Sequence, residues 1–115
     1  MKVKDVVERF DLEPMAGKGG LDREVRSGYC GDLLSDVMAN AGAGALWLTI
    51  QSHKNIVGVA VLSELAAVIL VNGRRPDEDT RSKADEEGIP ILGTARSAFD
   101  TAGLLFDAGI SGTGE

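Results

Sequence analysis

The sequence predicts an α/β protein, a three-layer α/β sandwich around a short, mainly parallel sheet of about four strands. Two nearly continuous apolar runs, Ala45-Leu-Trp-Leu-Thr-Ile50 and Ala66-Ala-Val-Ile-Leu-Val71, have the form of strands buried on both faces. Helix-like segments separate the strand candidates at intervals of about 20 residues, the rhythm of parallel strands joined by crossovers. The 115 residues, 43% of them hydrophobic, suit one compact domain with one modest core. We expect that domain over residues 1–110 and a flexible C-terminal tail over 111–115.

Val3, Val6, Val7 and Phe10 recur at helical spacing and predict a short amphipathic helix ending near Pro14. The next stretch, 15–20, holds three glycines in six residues and reads as a mobile loop. Residues 25–29 can form a short strand. From Asp32 onward, Leu33, Leu34, Val37, Met38 and Ala41 fall on one helical stripe. Between the two apolar runs, 55–65 is rich in valine, which by composition favours strand. Topology requires a helix there, because two buried parallel strands need a crossover and no other chain is available for it.

Pro76 followed by Asp77, Glu78 and Asp79 marks a helix start, since proline suits the first turn and carboxylates favour the positive end of the helix dipole. Gly88 ends that helix, which offers the core little beyond Thr80 and Ala84. Residues 89–92 form the next strand, and Ala98, Phe99, Ala102, Leu105 and Phe106 form the stripe of a last helix closed by Gly109.

Eighteen acids against twelve Lys and Arg give a net charge of −6, the wrong sign for coating nucleic acid or an anionic membrane. No apolar segment approaches the roughly 18 residues of a membrane span, and no signal peptide is recognised. One cysteine and one histidine cannot build a disulfide framework or a zinc site. The expected compartment is the cytoplasm, and no metal or cofactor is expected.

Gly17-Lys18-Gly19-Gly20 has neither the preceding strand nor the Ser or Thr after the lysine that a Walker phosphate loop needs. Gly28-Tyr29-Cys30-Gly31-Asp32 is a tight strand-to-helix turn without the third glycine of a dinucleotide fingerprint. Cys30 reads either as a thiol activated at a helix start or as a small buried filler. His53, near a strand end, reads as a ligand contact or as a surface residue.

One constellation outweighs these motifs. A parallel sheet delivers the loop after every strand to one edge, beside helix N-termini. Here that edge collects Tyr29, Asp32, Ser52, His53, Lys54, Asn55, Asn72, Arg74, Arg75, Thr94, Arg96 and Ser97. Among them Tyr29, Asp32, His53, Asn55, Asn72, Arg74, Thr94, Arg96 and Ser97 are the candidate ligand-binding residues. Cations gathered there in an acidic chain suit a small anion or nucleotide; solubility or dimer contacts explain the same charges.

Leu21-Asp22-Arg23-Glu24-Val25, Gly28-Tyr29 and Asp32-Leu33-Leu34-Ser35-Asp36-Val37-Met38-Ala39 resemble the opening block of the DRTGG domain family. Trp47-Leu-Thr-Ile-Gln51, Asn55-Ile-Val57, Glu64-Leu-Ala-Ala67, Val71-Asn-Gly73, Pro76 and Glu87-Gly-Ile-Pro-Ile91 resemble its later blocks. Ser27 stands where the family has threonine, and Cys30 interrupts the usual small-residue turn. The resemblance implies a small regulatory or interaction module, often self-associating, related to the N-terminal domain of HPr kinase/phosphorylase but without that enzyme's Walker-containing kinase domain.

The expected function is therefore a stand-alone, non-catalytic regulatory module, a homodimer or a docking unit for a protein partner. Its strand-end edge is the expected sensor of an anionic small molecule or adenine nucleotide. The alternative is a small-molecule-binding protein with weak phosphoryl- or nucleotidyl-transfer activity. The homodimer expectation rests on residues 56–62, apolar around the whole helix, with Val59 and Leu62 as the interface candidates.

Overall fold

The computed structural model describes residues 1–113. Along the chain lie α1 (Val3–Phe10), β1 (Glu13–Ala16), a 3-10 turn (Lys18–Gly20), β2 (Ser27–Cys30), α2 (Leu34–Asn40), β3 (Ala45–Thr49), α3 (Asn55–Leu62), β4 (Ala67–Leu70), α4 (Glu78–Glu87), β5 (Ile91–Gly93) and α5 (Ala98–Asp107). The sheet has the order β1-β5-β4-β3-β2. Strands β2 to β5 are mutually parallel, and β1 is antiparallel to β5.

Because the four parallel strands are laid down side by side in chain order, right-handed crossovers put α2, α3 and α4 on one face of the sheet. Val37, Ile56, Val57, Val59, Ala60 and Ala84 from those helices pack there on Trp47, Val68, Leu70 and Ile91. The other face carries α1 and α5, with Val3, Val6 and Leu105 against Leu46, Leu48, Ala67, Ile69 and Leu92. Successive strand residues alternate between the two clusters, as the pleat requires, and both faces are apolar because both are covered. Three layers and a mainly parallel sheet are thus present as expected, with five strands rather than four.

The additional strand corrects the reading of residues 15–20 as a mobile loop, and with it the reading that no strand precedes Gly17-Lys18-Gly19-Gly20; the Ser or Thr of a Walker loop is still missing after Lys18. Met15 and Ala16 belong to β1 and are buried, and Gly17 leads into the 3-10 turn. Gly17 has φ +68°, and a Cβ on it would stand 1.8 Å from the Ile89 carbonyl oxygen, so only glycine lets β1 run this close to the start of β5.

Residues 55–62 are helical, so topology overrides the strand preference of the valines. This helix does not need a second subunit to cover Val59, which is buried within the chain, while Leu62 remains 74% exposed. Thr80 and Ala84 are the buried residues of α4, as its composition implies. The stripe expected on α5 is wrong in part. Thr101 and Leu105 are buried and Ala98 and Ala102 pack on the core, but Phe99 and Phe106 point out, 88% and 70% exposed. Similarly, Val37 alone is buried in α2, and Leu33 and Met38 are exposed.

Ser111, expected in the tail, accepts a 3.0 Å hydrogen bond from the Gly28 N–H on the outer edge of β2. Positions 114 and 115 of that expected tail lie outside the described residues. Among the described residues no helix is long and apolar enough to cross a membrane.

Candidate functional site

The C-terminal ends of β4 and β5 and the N-terminal end of the antiparallel β1 meet at one edge of the sheet, where Glu13 pairs with Gly93. A cavity of about 510 Å³ opens there, lined by residues from all three strand ends, including Met15, Gly73, Gly93 and Thr94. Its charged lining consists of Arg74, Arg75, Arg96, Asp11 and Glu13. Two of the predicted guanidinium groups, Arg74 and Arg96, therefore share one opening with the Thr94 hydroxyl.

The three arginines differ in freedom. Arg75 grips Glu13 with two nitrogens, Nη2 at 2.9 Å and Nη1 at 3.3 Å. This fork holds the Glu13 carboxyl below its usual range, through the hydrogen bonds first and the Arg75 charge second, and raises Arg75 in turn. Arg96 donates from Nη1 to the Phe10 carbonyl at 2.8 Å, which leaves its remaining donors unused. The exposed Arg74 side chain makes no hydrogen bond or ion pair among the described residues, and neither Asp77 nor Asp100 pairs with it or with Arg96.

Backbone amides contribute less than a strand edge suggests. The Asn72 N–H donates to the Arg96 carbonyl (2.9 Å), the Gly73 N–H to the Thr94 carbonyl (2.9 Å), the Arg74 N–H to Val71 (3.1 Å) and the Thr94 N–H to Leu70 (3.1 Å). The Arg96 N–H donates to Thr94 Oγ1 at 3.2 Å. Ser97 caps α5 by accepting from the Asp100 N–H at 3.1 Å. The turn thus closes on itself, and the side chains of Arg74 and Arg96, rather than these backbone amides, are the donors it leaves toward the cavity.

The remaining predicted residues do not join this cavity. Tyr29 lines a smaller, mostly apolar slot of about 120 Å³ between β2 and α5, with Cys30, Leu105 and Phe106 among its walls. Its hydroxyl donates to Asp36, and that bond, with burial and the Asp36 charge, pushes the Tyr29 pKa up to about 12. Asp32 is a structural hub. Its Oδ1 accepts from Thr49 Oγ1 (2.7 Å) and the Ile50 N–H (3.0 Å), and its carbonyl accepts from Gln51 Nε2 (2.9 Å), tying the turn after β2 to the end of β3. His53 Nδ1 lies 3.0 Å from Asp77 Oδ2, joining the loop before α3 to the start of α4. Asn55 begins α3, Asn72 occupies a left-handed turn at φ 57°, and neither lines the cavity.

Cys30 is exposed at the β2 end, and partial burial followed by the Asp32 charge pushes its thiol pKa up, the reverse of an activated nucleophile. Sequence reasoning missed Asp11, Glu13 and Met15, because the strand that delivers two of them was unread. Asp22 and Arg23 sit away from the cavity. Asp22 pairs with Lys4 at 3.0 Å, and Arg23 Nε donates to the Gly88 carbonyl at 3.3 Å, so the pair fastens α1 and the end of α4 to the chain entering β2.

These features define a three-layer α/β domain with a guanidinium-lined cavity at the strand-end edge. No family model matches the chain, and no curated protein matches it in sequence. Among solved structures it is similar to the CBS and DRTGG domains of the regulatory region of a Clostridium perfringens pyrophosphatase, which was solved with the activator diadenosine tetraphosphate. The TM-score is 0.69 at 13% identity, over 90% of this chain and 45% of that one, so the chain spans less than half the length of the protein it resembles. The fold of this chain is DRTGG-like.

Proposed function

We propose that this chain is a non-catalytic regulatory or interaction module, one domain over residues 1–110, that binds a small anion in the cavity between β1, β4 and β5. The observation that carries the reading is the unpartnered Arg74 facing the same opening as Arg96 and Thr94. A phosphate or carboxylate there gains charge-assisted hydrogen bonds, and planar guanidinium groups engage two anion oxygens at once. The module works in the cytoplasm, self-associated or docked on a protein partner. Adenine nucleotides head the ligands to try, because the regulatory region with a similar fold was solved with a dinucleotide activator.

Calorimetric titration with phosphate, acetyl phosphate, adenine nucleotides and diadenosine tetraphosphate tests the reading. Saturable binding to the wild type, weakened at least about tenfold in Arg74→Ala, is the expected result, about 1.4 kcal/mol of lost interaction. The melting temperature of the ligand-free variant stays near that of the wild type, because the Arg74 side chain makes no hydrogen bond or ion pair among the described residues and its backbone bond to Val71 is kept. Absence of saturable binding by all of these ligands overturns the anion site. ATP turnover abolished by Arg74→Ala overturns the non-catalytic reading.

A further inference from the structure

The outer face of α5 carries a feature that packing within the chain does not explain. Phe99 and Phe106 stand 88% and 70% exposed on it, and Gly103 lies between them on the same side, at the i, i+4, i+7 positions of one helical face. Apart from its chain neighbours and its own helix backbone, no atom of the described residues comes within 4 Å of the place where a Cβ on Gly103 would stand. Glycine inside a helix costs stability relative to alanine, and no close approach within this chain requires it there. Beside it a shallow depression runs over Arg96, Phe99, Asp100, Gly103 and Leu104.

We propose that this face binds a second copy of the chain, α5 packing antiparallel on α5 across a two-fold axis near Gly103. Such an axis sets Phe99 of each copy opposite Phe106 of the other and lets the helices close over the bare glycines. The charges agree with it. Arg96 precedes the helix and Asp107 ends it, so antiparallel apposition brings each Arg96 to the partner's Asp107, with Asp100 at the same end. The guanidinium has enough donors to serve both carboxylates. Parallel packing would instead set like charges side by side.

The α3 face does not have this property. Its exposed Val61 and Leu62 lie together in the last turn, and its other large apolar residues, Ile56, Val57 and Val59, are buried within the chain, so it offers no apolar stripe along the helix. The inference names the partner and surface for the self-associating part of the proposed function. It shares Arg96 with the anion cavity but rests on Phe99, Gly103 and Phe106, which lie outside it, so failure of the ligand titrations leaves it standing.

Sedimentation velocity of the full chain across a wide concentration range, up to high micromolar, reads the assembly. The expected result is a reversible dimer that Phe99→Glu/Phe106→Glu weakens at least tenfold, with unchanged circular dichroism and melting of the dilute protein, while Leu62→Glu remains dimeric. In a Cys30→Ser background, Gly103→Cys is expected to cross-link covalently between copies under oxidised glutathione, and Gly58→Cys on α3 is not. A wild type that stays monomeric throughout, a dimer that survives the double phenylalanine variant, or cross-linking at Gly58→Cys but not at Gly103→Cys overturns the proposal.

Discussion

The Gly17 N–H donates to Asp85 Oδ1 at 2.8 Å across 68 residues of sequence, and this bond ties the end of β1 to α4. Gly17 is buried, so removing its acceptor strands an N–H donor inside the protein. Asp85→Ala is expected to cost about 1–3 kcal/mol in urea unfolding, and Asp85→Asn, which keeps an acceptor oxygen, clearly less.

Gly17→Ala is expected to cost more than the roughly 1–2 kcal/mol of a left-handed residue alone, because its Cβ would collide with the Ile89 carbonyl. Thermal melting compared with Gly19→Ala, where a Cβ meets nothing within 4 Å, separates the clash from a general effect of losing glycine.

Glu13 holds Arg75 by two hydrogen bonds at the mouth of the cavity, so Glu13→Gln releases a third guanidinium toward a bound anion. Affinity for inorganic phosphate is expected to rise in that variant, measured by calorimetry at low salt. The pair is exposed and its effect on stability small and salt-sensitive. Because the folded Glu13 pKa lies below the unfolded one, the pair's contribution is complete above about pH 5 and is lost as pH falls below about pH 4. Melting curves of wild type and Glu13→Gln should therefore converge toward acid pH.

Tyr29 is the single tyrosine, so tyrosinate absorbance titrates one site. The transition is expected near pH 12 in the wild type and lower in Asp36→Asn, where the carboxylate that disfavours the phenolate is gone. A raised folded pKa contributes stability below the unfolded tyrosine value of about 10 and loses it as pH rises through the folded one.

Leu105 and Phe99 lie on the same helix and differ in what their loss exposes. Leu105 is buried against the sheet, so Leu105→Ala is expected to cost about 2–5 kcal/mol, whereas Phe99→Ala in dilute protein should stay within about 0.5 kcal/mol. The reverse order in denaturant titrations would show that α5 packs with its other face inward.

The cationic side of the candidate site was legible before the fold. Arg74, Thr94 and Arg96 follow strands that apolar runs announce, and parallel strands deliver such loops to one edge. The carboxylate side of the cavity was illegible. Glu13-Pro-Met-Ala16 has neither alternation nor an apolar run, and it becomes a strand only because β5 offers an unpaired edge. Asp32 and His53 show the opposite limit, since polar residues at a strand end read alike whether they meet a ligand or, as here, bind Thr49 Oγ1 and Asp77.

The sequence by itself determined the alternation of strands and helices, the two buried central strands, and the helical crossover at 55–62. Each of these rests on local periodicity or on the length of chain between strands. Only the tertiary structure decided which way each helix faces. Apolar residues spread around most of α5, so its composition permits several inward faces, and contact with β2 and β3 selects Thr101 and Leu105 and leaves both phenylalanines outside. The meeting of Glu13 with Arg75 across 62 residues was likewise decided there, because pairing between distant segments depends on the closed sheet and leaves no periodic trace in either one.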